Sequence, residues 1–146
     1  MKYFSLLAVL VVVLLISSCV RETESEMSNQ ESSPWPDSLD AVVAAPASHN
    51  IMLENEQVRV LEVIVRPGEK EPMHHHKWPS IMIVDKPSLI RYFGSDGKLR
   101  FEPPPGPPPP ENIPLEPRWF EAEPLHAVEN IGEQTFHAIR IELKSN

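Results

Sequence analysis

From Val58 onward the chain is broken too often to be helical. Proline lacks the amide proton that a helix interior needs, and its ring holds φ near about −65°. The sequence carries 17 prolines, and Pro or Gly separates most of its apolar runs. Val58–Arg66 is a β-branched run ended by Pro67-Gly68. Met73–Lys77 and Ser80–Asp85 follow, separated by Pro79. Pro87–Phe93 and Lys98–Glu102 flank Gly94-Ser95-Asp96-Gly97, a hairpin signal. Arg118–Glu121, Pro124–Asn130 and Gln134–Leu143 complete the set, with a tight turn at Asn130-Ile131-Gly132-Glu133. Short runs of this kind predict strands, and many strands with Gly/Pro turns predict one antiparallel sandwich or barrel.

One segment interrupts the pattern. Residues 103–117 form a Pro-rich insertion that includes Pro103–Pro110, PPPGPPPP. Without amide donors it must be polyproline II or irregular. It reads as a stiff surface insertion between strands, as a lid over the barrel mouth, or as a docking site for an aromatic-lined groove.

The stretch Gly68–His76, GEKEPMHHH, carries the chemistry. On an extended backbone successive side chains alternate faces. His74 and His76 then point one way and His75 the other. Two imidazoles at i and i+2 can share a metal ion. His126 lies on a later strand, in His126-Ala127-Val128-Glu129-Asn130, and adds a third imidazole. Alternation gives His137, Ile139, Ile141 and Leu143 one face of the last strand, so His137 is a pocket candidate. Tyr92 and Trp119 are aromatic candidates for the same pocket, beside Trp78 and Phe120. Asn130 reads as a turn-former, and Glu129 as exposed.

The N-terminus reads as an export signal over residues 1–18. Lys2 supplies the positive end, and Phe4–Ile16 is apolar but shorter than the roughly 20 residues of a membrane span. Ile16-Ser17-Ser18-Cys19 resembles the lipobox of bacterial lipoproteins. The resemblance implies lipidation of Cys19 and anchoring to a bacterial membrane on its periplasmic side. Val20, rather than Asp, follows the Cys and favours the outer membrane. Residues 19–48, rich in Glu, Ser and Pro early on, read as the lipidated Cys and a flexible tether, with the folded domain spanning 49–146. Cys19 is the one cysteine, so no intramolecular disulfide can form. A net charge of −8 and the lack of a basic stripe argue against nucleic acid.

Residues from about Asn50 to Lys144 resemble the small single-domain cupins, all-β jelly-roll or double-stranded β-helix barrels. Gly68, His74 and His76 match the family's G-x5-H-x-H, and His126 with Asn130 matches its later H-x3-N. The resemblance implies His74, His76 and His126 as ligands of a divalent iron, zinc, nickel, copper or manganese ion. The family's Glu ligand would fall at Ser80 or Ile81, where no carboxylate stands. Glu121 and Glu123 stand where Pro and Gly would precede His126. Glu71 is the nearest substitute carboxylate. Three readings of function follow. One is a membrane-anchored barrel that binds a metal ion, a small molecule or both. Another is a metal-dependent enzyme of the three-histidine dioxygenase or isomerase type. The last is an interaction module using the Pro-rich segment. The resemblance also implies a homodimer formed by sheet packing.

Overall fold

The computed structural model describes residues 34–110 and 114–144. The expected signal, Cys19 and the start of the tether lie outside them. Nine strands are present among the described residues: β1 (His49–Glu54), β2 (Val58–Val65), β3 (His74–His76), β4 (Ser80–Lys86), β5 (Ile90–Phe93), β6 (Leu99–Phe101), β7 (Arg118–Phe120), β8 (Glu123–Asn130) and β9 (Phe136–Leu143). They form a five-stranded sheet, β1-β2-β9-β4-β7, and a four-stranded sheet, β3-β8-β5-β6. Strand pairings are antiparallel throughout. The chain passes from one sheet to the other at nearly every connection after β2, which makes a jelly roll. The expected hairpin joins β5 to β6, with Gly97 at φ 73°. Strand β1 has no counterpart among the runs read from the sequence. No helix of the described residues is long and apolar enough to cross a membrane.

β2 and β9 pair over eight residues, from Val58↔Leu143 to Val65↔Phe136. Their inward residues are Arg59, Leu61, Val63 and Val65 on β2, and Phe136, Ala138, Arg140 and Glu142 on β9. Leu61, Val63, Val65, Phe136 and Ala138 form the apolar core. Ile139, Ile141 and Leu143 face outward and are half-buried. His137 is therefore not a pocket residue: it lies outside, in contact with Asp85 and with Glu62 at 3.3 Å. Alternation sorted β9 into two faces correctly, but the face with the apolar residues is the outer one. The charged face is tolerable inside because its charges meet. Arg59 donates from Nε to Glu142 at 2.5 Å, and its Nη atoms reach Asp40 at 2.9 and 3.1 Å. Buried charges persist when paired and hydrogen-bonded.

The folded part also begins before His49, within the expected tether. A 3-10 turn, Asp37–Leu39, leads into a one-turn helix α1 (Ala41–Ala44). Asp40 caps α1 by accepting from the amide of Val42 at 3.2 Å. Asp40, Ala41, Ala45 and Ser48 are buried, and Trp35 is half-buried. Averaged composition hid this segment, because only a few small side chains carry the contact. Its place is over the back of β3: Asp40 bridges to His75, whose Nε2 lies 3.2 Å from the carbonyl of Pro36.

Candidate metal centre

Four imidazoles converge at one end of the barrel interior. His74 and His76 come from β3 and face inward, while His75 faces the other way, toward the carbonyl of Pro36, as alternation requires. His126 comes from β8, directly opposite His74. The register then slips, so that His76 pairs with Glu123. A β-bulge of this kind re-aims side chains, and it lets Glu123 and His126, three residues apart, serve one site. His49 opens β1 opposite Val63, whose side chain is in the core. Ring centroids are 4.4 Å apart for His74–His126, 4.7 Å for His49–His74, 5.2 Å for His49–His76 and 5.3 Å for His74–His76. Two sets of potential ligand atoms result, His49/His74/His76 and His76/Glu123/His126, each within 4.8 Å.

Each imidazole is held by its Nδ1. His74 donates to the carbonyl of Pro72 at 2.9 Å, and His126 to that of Pro124 at 2.9 Å. His49 donates to the carbonyl of Ala45 at 3.3 Å. His76 donates to Glu142 at 2.7 Å. A carbonyl can only accept, so the proton sits on Nδ1 and the Nε2 lone pair is left free. Nε2 of His74 is buried without a hydrogen-bond partner among the described residues. That orphaned atom is what a metal ligand looks like before the ion arrives, so the donor set fits a divalent cation.

The charge states agree with this geometry. Burial lowers His49 to about 4 and His74 to about 2, and holds His76 well below its ordinary value. His126 is lowered by burial too, against the pull of Glu123. Neutral imidazole is the form a metal takes. Burial raises Glu71 to about 7. Its carboxylate is 3.6 Å from His49, in the loop before β3.

The histidines form one end of a cavity of about 520 Å³. Glu71, Glu123, Tyr92 and Arg140 share that polar end, and Val63, Val65, Met82, Val84, Ile90 and Phe136 supply apolar wall. The ring of Tyr92 stacks on His126, with centroids 5.1 Å apart. Trp119 lies outside: it is 54 % exposed and donates to Glu121 at 2.7 Å. Phe120, next in sequence, is the residue that lines the cavity. The Pro-rich insertion borders the cavity through Pro114 and Glu116, and Gln134 donates to the carbonyl of Pro109 at 3.2 Å. Asn130 is a latch rather than a ligand. Its amide donates to the carbonyls of Val65 and Gln134, and its oxygen accepts from Gly132 and Ser88.

Sequence reasoning missed His49 and Glu142. Ser80, at one of the two positions where the family's carboxylate ligand would fall, is buried and carries a hydroxyl with no hydrogen-bond partner among the described residues. Its cross-strand partner is Glu142, which orients His76 instead. Alternation puts Glu142 on the face of β9 opposite Ile139, Ile141 and Leu143, which reads as the outer one, so nothing in the sequence flagged it. Nothing around His49 distinguished it from the end of a tether.

The fold is similar to that of solved cupins. A cupin domain from Bordetella pertussis Tohama I superimposes with a TM-score of 0.51 at 17% identity, covering 66% of this chain and 92% of that one. An RmlC-like cupin family protein with a double-stranded β-helix fold, from Methanocaldococcus jannaschii, gives 0.46 at 11% identity, over 65% of this chain and 77% of the other. An uncharacterized conserved protein with a double-stranded β-helix domain, from Klebsiella pneumoniae, gives 0.46 at 15% identity, over 67% and 76%. No family model matches the chain, and no curated protein matches it. The chain has the cupin jelly-roll fold, and its chemistry has to be read from its own side chains.

Proposed function

We propose that this protein holds a divalent metal ion through His74, His76 and His126, with His49 as a fourth imidazole, beside a cavity for a small molecule. The observation that carries this is the set of four inward imidazoles, each tied by Nδ1, with a buried and unpartnered Nε2 on His74. Imidazole ligands suit iron, zinc, nickel, copper and, less well, manganese. The test is metal content by mass spectrometry on the full-length chain, purified without chelator or His-tag, beside His74→Ala/His126→Ala. About one ion per chain in the parent and none in the variant is the expected result. A parent that stays metal-free after exposure to all five ions leaves a metal-free ligand-binding barrel in its place.

The cavity favours a second reading, a metal-dependent enzyme of dioxygenase or isomerase type. A bound ion would supply Lewis-acid or redox chemistry at the polar end. Glu71, raised to about 7, lines the same end and can hold or release a proton near neutrality. Consumption of a small-molecule panel by loaded protein and not by stripped protein supports this reading, and equal consumption rejects it.

Attachment to a bacterial membrane through Cys19 rests on the lipobox resemblance. Incorporation of labelled palmitate into the parent, and none into Cys19→Ala, is expected. Export to the periplasmic side of the outer membrane belongs to the same proposal. Pairing of two copies is supported by an apolar row across the outer face of the five-stranded sheet: Leu53, Val60, Ile141, Ile81 and Trp119 are successive cross-strand partners. Sedimentation at two concentrations tests it.

A further inference from the structure

We infer that Arg140 anchors the carboxylate of a small acid with an apolar body, bound in the barrel cavity next to the histidine cluster. Arg140 is buried on the inner face of β9 and lines the cavity. One of its terminal nitrogens, Nη1, meets Glu123 at 2.5 Å. Its Nε and Nη2 are buried and have no hydrogen-bond partner among the described residues. These two nitrogens share one edge of the planar guanidinium, the edge whose paired N–H groups match the two oxygens of a carboxylate.

Arg59 supplies an internal control. It is equally buried, on the inner face of β2, yet Nε and both Nη atoms are engaged by Glu142 and Asp40. The fold can therefore satisfy a buried arginine completely, and at Arg140, a residue of the cavity wall, it leaves one edge of the guanidinium without a partner among the described residues. An unmet buried donor is costly, and a ligand that completes it recovers that cost. The charges agree. The four imidazoles are neutral when buried, and Glu123 balances Arg140 only until an ion binds, after which the polar end is positive. Most of the remaining wall is apolar, from Val63, Val65, Met82, Val84, Ile90 and Phe136, with Glu116 and Arg118 as the further charged residues that line it. One charged end and one greasy body is the ligand shape this describes. A volume of about 520 Å³ falls within the usual range for a small-molecule site.

The inference deepens the small-molecule side of the proposed function, but recognition at Arg140 requires no ion and can be read without one. The experiment is a calorimetric titration of the full-length chain in detergent, metal-stripped and metal-loaded. The probes are 3-phenylpropionate, 3-phenylpropionamide and inorganic phosphate. The acid is expected to bind at least about tenfold more tightly than the amide, as a charge-assisted bidentate pair should. Arg140→Gln/Glu123→Gln removes both charges at nearly constant shape and should erase that preference. Arg140→Lys keeps the charge without the fork and should lose most of it. Circular dichroism melts check that each variant is folded. Equal binding of acid and amide, a preference that survives in the double variant, or tighter binding of phosphate than of the acid would each overturn the assignment. So would no acid binding up to about 10 mM. Metal content measured on the same preparations separates the two ideas: acid preference together with a loaded preparation that retains no metal rejects the metal centre alone.

Discussion

In the part of the five-stranded sheet nearest the histidines, the two faces invert the usual arrangement. The inner face carries Arg59, Ser80, Arg140 and Glu142, all buried. The outer face carries Val60, Ile81, Ile139 and Ile141, half-exposed, with Leu53 and Trp119 more exposed still. Leu61, Val63, Val65, Phe136 and Ala138 hold the first of these faces inward by hydrophobic burial, and the charged residues beside them come with it. Inside, at the end of β2 and β9 away from Val65 and Phe136, the charges form a chain: His76 to Glu142, Glu142 to Arg59, Arg59 to Asp40. The inner face is thus polar where it serves the histidines and apolar where it serves the core. A site of this kind is maintained against the local hydrophobic pattern, which makes the comparison testable.

The largest effect should come from breaking the inner chain. Glu142→Ala leaves Arg59 buried with one partner fewer and frees Nδ1 of His76. Loss of one member of a buried ion pair typically costs about 3–5 kcal/mol, so urea unfolding should show a loss of that order. Arg59→Met/Glu142→Leu removes both charges and should recover much of it. Failure of the double replacement to do better than the single one would mean that the charges are not what destabilises the variant.

Next comes metal affinity. His49→Ala should weaken binding by at least about tenfold, since it removes a buried donor from the cluster. Competition with a chromophoric chelator measures this. Unchanged affinity would return the site to three histidines.

The acid response of the metal-free protein should also follow the inner face. His49 and His74 have folded values of about 4 and about 2, below the ordinary value of 6.5. Their contribution to stability is present above about 6.5 and is lost as pH falls below it. Glu71 works in the opposite sense. Its folded value is about 7 against 4.5, so its contribution is present below about 4.5 and is lost as pH rises through 7. The histidines outnumber it, and the melting temperature should fall between pH 6.5 and 4.5. In Glu71→Gln the acid loss should steepen and the loss toward pH 7.5 should vanish. A melting temperature flat across this range would contradict the buried, neutral histidines.

The smallest effect belongs to the outer face. Trp119→Ser should change stability by no more than about 0.5 kcal/mol, as exposed substitutions usually do. A larger loss that grows with protein concentration would show that a second copy covers this face.

Much of the architecture was legible, and for definite reasons. Pro67-Gly68 and Gly94–Gly97 mark turns through local backbone preferences that tertiary context seldom overrides. They delimit β2, β5 and β6 almost to the residue. The opposite orientation of His75 from His74 and His76 followed from the pleat alone. The approach of His126 to His74 did not: it needed the family resemblance, because spacing says nothing about which strands pair. Glu123 joins the same cluster only through the bulge in β8, and a bulge has no reliable sequence mark. His49 looked like the end of a tether because β1 is exposed after its first residue, so no alternation announced it.

The amino-acid sequence by itself determined an all-β chain of short strands, the places where it turns, and the split of each strand into two faces. Those properties depend on neighbouring residues and on backbone geometry. Only the tertiary structure decided which face points inward, that His49 joins the histidines, that Glu142 stands behind His76, and that His137 and Trp119 stay outside. Each of those depends on partners far away in the chain. A charged face can turn inward only if opposite charges from other strands meet it, and only the folded arrangement brings Asp40, Arg59 and Glu142 together.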